Sequence, residues 1–272
     1  MGVPGSESSI LGGAAGQSGA AQTGVYNYQI ENSLRMDAGS AMYLSKTFGT
    51  ATSRDTFTIS TWVKRHTEVG SSSKSTIFTG GTSGSQYTYS SFNSNDAINI
   101  DAQTTATGIG ASNEQFRDIS AWYHIVYRID TSQSSQADRL RVYVNGTQLT
   151  GYSLGNISQD EDFAHWNAAE AFYIGQKNGI GHAADGTNLY YAETLFFDGQ
   201  SYAPTEVAQD RNGIWVPKDP SSLSFGNNGF HLKYENASDL GNDSSGNNND
   251  FSATGLGADH QTPDSPTIGT GS

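Results

Sequence analysis

The chain has 272 residues, a formal net charge of −13 and no cysteine. The negative charge argues against binding nucleic acid or an anionic membrane surface, because both need clustered lysine and arginine, and the lack of cysteine excludes disulfides and thiolate metal sites. No apolar run approaches the ~20 residues of a membrane-spanning helix, and the 32 glycines are typical of many short strands joined by turns.

The first 25 residues form a segment rich in glycine, alanine, serine and glutamine, with isolated Ile10 and Leu11. Such a composition buries too little apolar area to offset the entropy of ordering. Two interpretations stay open. The segment is either a free arm or an arm that orders against a neighbouring subunit, with Ile10 and Leu11 as its assembly anchors.

Strand signals recur every 8 to 15 residues from residue 26 to about residue 175. Alternation of apolar and polar side chains is the signal of a half-buried strand. It predicts strands near 28–36, 41–46, 56–65, 75–80, 86–92, 96–103, 122–130, 139–146, 148–153 and 171–176. A short helical turn is predicted within 158–166.

The clearest strand pair lies in the middle of the chain. Residues 122–130 read WYHIVYRID, and residues 139–146 read RLRVYVNG after a polar loop. The second run ends in Asn145-Gly146, a strong signal for a two-residue hairpin turn because both residues tolerate a positive φ. The pattern predicts an antiparallel meander, and we expect the whole protein to be built in the same way.

The last third of the chain continues the pattern with fewer strands. It predicts a strand at 189–198, a short helix at Pro204–Val207, a rigid connector at 216–220, a strand at 229–234 and a turn-rich loop at 243–250 that leads into 251–254. Residues 255–272 are rich in glycine, proline and serine and are predicted to be a flexible tail or to cross a partner's surface. The sequence thus predicts one β-sandwich domain over 26–254 between flexible ends at 1–25 and 255–272.

Five segments in this order resemble the laminin-G-like, concanavalin A-like jelly rolls. They are SLRMDAGSAMYLSKTF at 33–48, FTISTWVKR at 57–65, WYHIV to RLRVYVNGTQL at 122–149, AFYIGQ at 171–176 and YYAETLFFDGQSYAPTEVAQ at 190–209. The resemblance implies an all-β, antiparallel two-sheet jelly-roll sandwich with one or two short helices.

Further details are similar to virion proteins of tailed bacteriophages, especially aquatic ones. These are the glycine- and alanine-rich arm, FDGQ at 197–200 followed by GIWVPK at 213–218, and DSSGNNND at 243–250. The resemblance implies a structural protein on the particle exterior, as a capsid decoration or a tail or fibre component. Such a protein is a homo-oligomer present in many copies and contacts major capsid or tail subunits through its arm. The alternative is a carbohydrate-binding adhesin that touches the host surface.

No catalytic array emerges from the sequence. The glucanase branch of these jelly rolls places carboxylates on one strand face in an E-x-D-x-E pattern, which is absent here. The densest acidic cluster, Asp160-Glu161-Asp162, is consecutive and predicts a solvated loop. Without a nucleophile elbow or an H-E-x-x-H pair, the sequence predicts a protein that is not an enzyme and needs no cofactor, calcium excepted.

Calcium is the one metal that the sequence suggests. Asp243, Asn247, Asn249 and Asp250 offer hard oxygen ligands around a turn that contains a glycine. The alternative is that these side chains cap their own backbone in a tight turn.

A glycan site is predicted around exposed aromatic residues. Trp166 lies in a polar stretch, and Tyr87 and Tyr89 alternate along a predicted strand. The alternative is that such residues serve only surface packing or subunit contacts.

Overall fold

Two antiparallel sheets form the body of the protein in the computed structural model, which describes residues 26–37, 41–67, 74–103, 110–152, 157–175 and 187–267. In chain order the strands of these residues are β1 (Ser33–Met36), β2 (Tyr43–Thr47), β3 (Thr56–Arg65), β4 (Ser75–Ser83), β5 (Gln86–Phe92), β6 (Ile98–Gln103), β7 (Gly110–Ala111), β8 (Trp122–Asp130), β9 (Leu140–Val144), β10 (Thr147–Gln148), β11 (Ala171–Gly175), β12 (Leu189–Asp198), β13 (Ala208–Arg211), β14 (Ile214–Pro217), β15 (Phe230–Leu232), β16 (Ser252–Thr254) and β17 (Gln261–Thr262). A short helix, α1 (Pro204–Val207), begins at a proline, which lacks an N–H that would need a partner there.

The chain crosses between the two sheets several times. The first sheet runs β10-β9-β8-β3-β12-β1-β17, with β15 also paired to β12, and the second runs β16-β2-β11-β4-β5-β6-β7. Neighbouring strands are antiparallel throughout, as in the pairing of β3 with β8 from Thr56 opposite Asp130 to Lys64 opposite Trp122. The predicted all-β, antiparallel two-sheet jelly roll is confirmed.

Aromatic side chains fill the space between the sheets. Phe196 of the first sheet lies 5.9 Å from Phe172 of the second, measured between ring centroids, and Phe48 and Phe230 pack around them. Each fully buried ring of this kind contributes roughly 1.5–3 kcal/mol to the free energy of unfolding. The polar group of Tyr127 is satisfied inside this core, because its hydroxyl lies 2.7 Å from the Ser90 hydroxyl.

A two-stranded hairpin of β13 and β14 lies against the outer face of the first sheet. Trp215 of this hairpin donates its indole N–H to Nδ1 of His124 on β8, at 2.9 Å. Trp62 of β3 stacks on the imidazole, with the ring centroids 4.7 Å apart. The sequence pattern predicts residues 216–220 only as a rigid connector and does not reveal this hairpin.

A buried carboxylate ties together the loops at one end of the sandwich. Asp198 is fully buried at the end of β12 and accepts hydrogen bonds from the backbone N–H groups of Thr52, Ser53 and Asn228 and from the side-chain amide of Asn167. A buried carboxylate is tolerated when hydrogen bonds replace its hydration. These bonds fix the positions of three loops relative to β12.

The predicted tail needs correction for most of its length. Residues 255–267 are part of the sandwich: Ala258–His260 form a 3-10 turn and β17 pairs with β1. Further on, the hydroxyl groups of Ser265 and Thr267 both bond the backbone oxygen of Ile30. A low apolar content predicts mobility, but backbone and hydroxyl hydrogen bonds to an edge strand order this segment.

Two smaller differences concern local structure. The helical turn predicted within 158–166 is not a helix but a series of hydrogen-bonded turns. Of the strand predicted at 148–153, only Gln148 lies in a strand, at the end of β10, and residues 149–152 do not. The predicted arm at 1–25 lies outside the described residues. Among the described residues, no helix is both long enough and apolar enough to cross a membrane.

Candidate functional site

A small pocket opens beside the β12–β15 edge of the first sheet, where the segment before β1 passes. Its volume is about 60 Å³. It is lined by residues of three segments: Tyr28, Gln29, Ile30, Glu31, Glu193, Lys233 and Glu235. We call this the Glu193 pocket.

Glu193 lies at an irregularity in the middle of β12. Ala192 pairs with Trp62 and Leu195 with Ser60, so two residues of β12 oppose the single residue Thr61 of β3. This β-bulge places Glu193 at φ +45°. A residue other than glycine in that region costs on the order of 1 kcal/mol or more, and such strain clusters at functional sites.

The carboxylate of Glu193 is buried and held by two donors. Its side chain is 3% exposed, and Oε1 accepts a hydrogen bond from the Tyr28 hydroxyl at 2.5 Å and lies 2.9 Å from Nε2 of His231. His231 is itself fixed, since its backbone N–H donates to Asp243 and its ring lies parallel to that of Phe225. The carboxylate is therefore rigidly oriented by its surroundings.

The other oxygen of Glu193 is left for solvent or a ligand. No described residue donates a hydrogen bond to Oε2. Some described side-chain atoms are both fully buried and without a hydrogen-bond partner, and Oε2 is not one of them. A buried carboxylate with one open oxygen in a pocket is able to accept a hydrogen bond from a hydroxyl or ammonium group.

Three other charged residues line the same pocket: Glu31, Lys233 and Glu235. Nζ of Lys233 lies 3.8 Å from Oε1 of Glu235, and Glu31 is exposed at the rim. Burial raises the pKa of the Tyr28 hydroxyl far above its usual value, and the nearby charge of Glu193 raises it further. Tyr28 is therefore a hydrogen-bond donor at every physiological pH.

The Glu193 pocket was not predicted from the sequence. A signal was present, because Glu193 is the one charged residue within the otherwise uncharged run from Leu189 to Phe197. Its partners come from positions 28 and 231, far from it in sequence, and only the sheet topology brings them together.

The predicted calcium loop is saturated by its own hydrogen bonds. Oδ1 of Asp243 accepts from the backbone N–H groups of His231 and Ser245, and Oδ2 accepts from the Ser245 hydroxyl and the Asn249 N–H. Asp250 in turn accepts from the N–H of Asp243. The donors occupy the directions in which a cation would have to lie, so Asp243 does not fit a calcium ligand.

The two asparagines of that loop also act as donors. The side-chain N–H groups of Asn247 and Asn249 point to backbone oxygens of residues 226–229. Among the residues that the structure describes, no cluster of three or more His, Asp or Glu side chains is arranged to hold a metal. The geometry favours the backbone-capping interpretation of 243–250.

Trp166, predicted as a glycan-stacking residue, belongs to the core. Its side chain is fully buried, its indole N–H donates to the backbone oxygen of Thr88, and its ring meets that of Tyr127 edge to face. Neither face of the indole is open to a sugar, so Trp166 cannot take the predicted role.

Tyr87 and Tyr89 lie together on the second sheet, on the face opposite to the core-facing Ser90. Their ring centroids are 5.6 Å apart, and Nζ of Lys74 lies 4.9 Å from the ring of Tyr89. Both tyrosines are less than 5% exposed, so in this conformation they offer no stacking surface. The predicted anchors Ile10 and Leu11 lie outside the described residues.

Comparison with known proteins identifies the family. A model of the concanavalin A-like lectin/glucanases superfamily matches residues 37–199, more than half of the chain. The chain belongs to this superfamily. No curated protein sequence matches it.

One of the similar solved structures supports the fold. The chain is similar to a putative carbohydrate binding protein from Bacteroides ovatus, with a TM-score of 0.56 and 15% identity over 84% of this chain and 59% of that protein. The native heptameric SAP-like pentraxin from Limulus polyphemus is also similar, with a TM-score of 0.44 and 15% identity over 64% of this chain and 78% of that chain. The chain thus spans little more than half of the Bacteroides protein.

Proposed function

We propose that this chain is a non-catalytic carbohydrate-binding module and that the Glu193 pocket holds part of its sugar ligand. The observation that carries the proposal is the open Oε2 of a buried, rigidly held carboxylate in a pocket that also contains Lys233. Carboxylate acceptors and ammonium donors are groups that bind sugar hydroxyls. Membership of a superfamily of lectins and glucanases supports the same conclusion.

Binding to a glycan array tests the proposal. The wild-type chain should retain glycans that the variant Glu193→Gln binds at least about tenfold more weakly, since the charge-assisted hydrogen bond is lost. Asp162→Asn serves as the matched control, because Asp162 is exposed, forms an ion pair with Arg54 and does not line the pocket. Wild-type protein that binds no glycan, or binding that Glu193→Gln leaves unchanged, would contradict the proposal.

The absence of catalysis has its own test. Retained glycans should be recovered unchanged after long incubation, because only one of the three carboxylates that line the pocket, Glu193, is buried and held in a fixed orientation. The other two, Glu31 and Glu235, are exposed, whereas glycoside hydrolysis needs two carboxylates aligned across the bond. Release of new reducing ends that Glu193→Gln abolishes would overturn the non-catalytic assignment.

The sequence resemblance adds a proposal about location. It supports a module on the exterior of a phage particle, in many copies and as a homo-oligomer, attached to major capsid or tail subunits through residues 1–25 with Ile10 and Leu11 as anchors. Deleting residues 2–25 should leave the sandwich folded and reduce its incorporation into particles. Normal incorporation of the shortened chain would show that the arm has no part in attachment.

A further inference from the structure

We propose that the Glu193 pocket selects a positively charged group, and that its sugar ligand carries a protonated primary amine. This inference rests on the proposed function, because it names the class of sugar that the same pocket takes. It goes further in one respect: it requires charge selection, which binding of a neutral sugar does not.

The charges that line the pocket do not balance. Three carboxylates, Glu31, Glu193 and Glu235, face one ammonium group, Lys233. Counting His231 as protonated adds one positive charge behind Glu193, which still leaves three negative charges against two positive ones. The pocket therefore has a net negative charge in either protonation state of His231.

The ammonium group of Lys233 does not neutralise Glu193. Its closest carboxylate is that of Glu235, at 3.8 Å, and both side chains are more than a third exposed. Such surface pairs contribute little and are screened by water. Glu193, by contrast, is 3% exposed, and charges interact more strongly where water is excluded.

One oxygen of Glu193, Oε2, is available to bond a positively charged group. Oε1 is occupied by Tyr28 and His231, while Oε2 has no partner among the described residues. An ammonium group carries three N–H donors and no acceptor. It is thus able to bond Oε2 with one donor and to turn the others toward the carboxylates at the rim.

The size of the pocket points to a compact group rather than a whole sugar ring. Its volume of about 60 Å³ accommodates a few water molecules, since one water needs roughly 10–15 Å³ on this measure. An ammonium group fits this space. An N-acetyl group brings no charge and adds a carbonyl oxygen that the carboxylates would repel.

Matched oligosaccharides test the inference. Oligomers of β-1,4-linked glucosamine and of galactosamine are compared with the fully N-acetylated oligomers of the same length by isothermal titration calorimetry. The free-amine forms should bind wild-type protein at least about tenfold more tightly at low salt. The preference should shrink as salt is raised, because part of the charge interaction is screened.

The variants locate the preference in the pocket. Glu193→Gln should reduce the ratio of the two affinities toward one, and Glu235→Gln, at an exposed position, should reduce it in part without a risk to folding. Asp162→Asn should leave the ratio unchanged, although it removes the same charge from the chain.

The outcomes separate the inference from the proposed function. Equal affinities, tighter binding of the acetylated forms, or array hits restricted to neutral glycans would overturn charge selection while carbohydrate binding stands. A preference for amines that persists in both glutamine variants would place the selection outside the pocket and also overturn the inference. A complete lack of glycan binding would remove the proposed function and the inference together.

Discussion

His124 shows how one residue links burial to the response of the protein to acid. The Trp215 indole N–H donates to its Nδ1, so Nε2 carries the proton and donates to the Ser60 hydroxyl, at 2.8 Å. Burial lowers the pKa of His124 from 6.5 to about 3. The folded protein therefore keeps this imidazole neutral.

We expect acid to destabilise the protein through His124. Below pH 6.5 the unfolded chain takes up a proton that the folded protein cannot bind until about pH 3, so the free energy of unfolding falls as the pH falls, by about 1.4 kcal/mol for each unit. Between pH 7 and pH 5 the loss is roughly 2 kcal/mol. Above pH 6.5 the contribution is constant.

Urea unfolding at pH 7 and at pH 5 measures this effect. His124→Gln, which cannot be protonated, should show a smaller difference between the two pH values than the wild type, although its stability at pH 7 is lower. An identical pH difference in both proteins would assign the acid sensitivity to other groups.

The turn between β9 and β10 has a local sequence signal, Asn145-Gly146, and also contacts the β13–β14 hairpin. Asn145 and Gly146 adopt φ values of +48° and +79°, which confirms the predicted two-residue turn. A Cβ atom on Gly146 would lie 2.6 Å from the ring of Trp215. The glycine is thus needed both for its backbone conformation and for the close approach of the β13–β14 hairpin.

Gly146→Ala should destabilise the protein by roughly 1–3 kcal/mol, from backbone strain together with displacement of Trp215. Gly213→Ala is the matched control, because Gly213 has φ +83° in the turn between β13 and β14 and nothing within 4 Å of its added Cβ. Chemical denaturation should give a clearly larger loss for Gly146→Ala. Equal losses would mean that strain alone acts at both turns.

Elements with a strong pattern of their own could be predicted from the sequence, and elements held by distant contacts could not. β3, β8 and β12 have the predicted bounds, because long runs of β-branched and aromatic residues are sufficient to indicate strands. β13 and β14 depend on Trp215 packing against His124, and β17 depends on backbone pairing with β1. The alternation of apolar and polar residues along the chain does not indicate such contacts.

The candidate sites could likewise be predicted only where they depend on a local sequence pattern. Residues 243–250 were recognised as a turn, but whether their oxygens face a cation or backbone N–H groups depends on β15, which supplies the N–H of His231. Trp166 lies in a stretch that reads as polar and is nevertheless buried by Phe163 and Tyr127. The Glu193 pocket is formed by residues of three segments that are far apart in the sequence. The sequence predicts each segment only as part of a strand.

At the scale of the whole molecule, we expect stability to be independent of calcium. Binding to the folded state alone would raise stability by RT ln(1 + [L]/Kd), but the carboxylate of Asp243 is already saturated by four donors. Thermal unfolding in millimolar calcium and in excess chelator should give the same midpoint. A midpoint that rises steadily with calcium concentration would restore residues 243–250 as a metal site.

The pairing of β1 with β12 and β17 has a consequence for synthesis on the ribosome. Leu34 and Met36 of β1 are fully buried, yet both sheet neighbours of β1 are made much later in the chain. At translation rates of about 5–20 residues per second, β1 waits on the order of ten seconds before β12 emerges. We therefore expect the sandwich to close only after nearly the whole chain has been translated, with the apolar residues of β1 open to chaperones in the meantime.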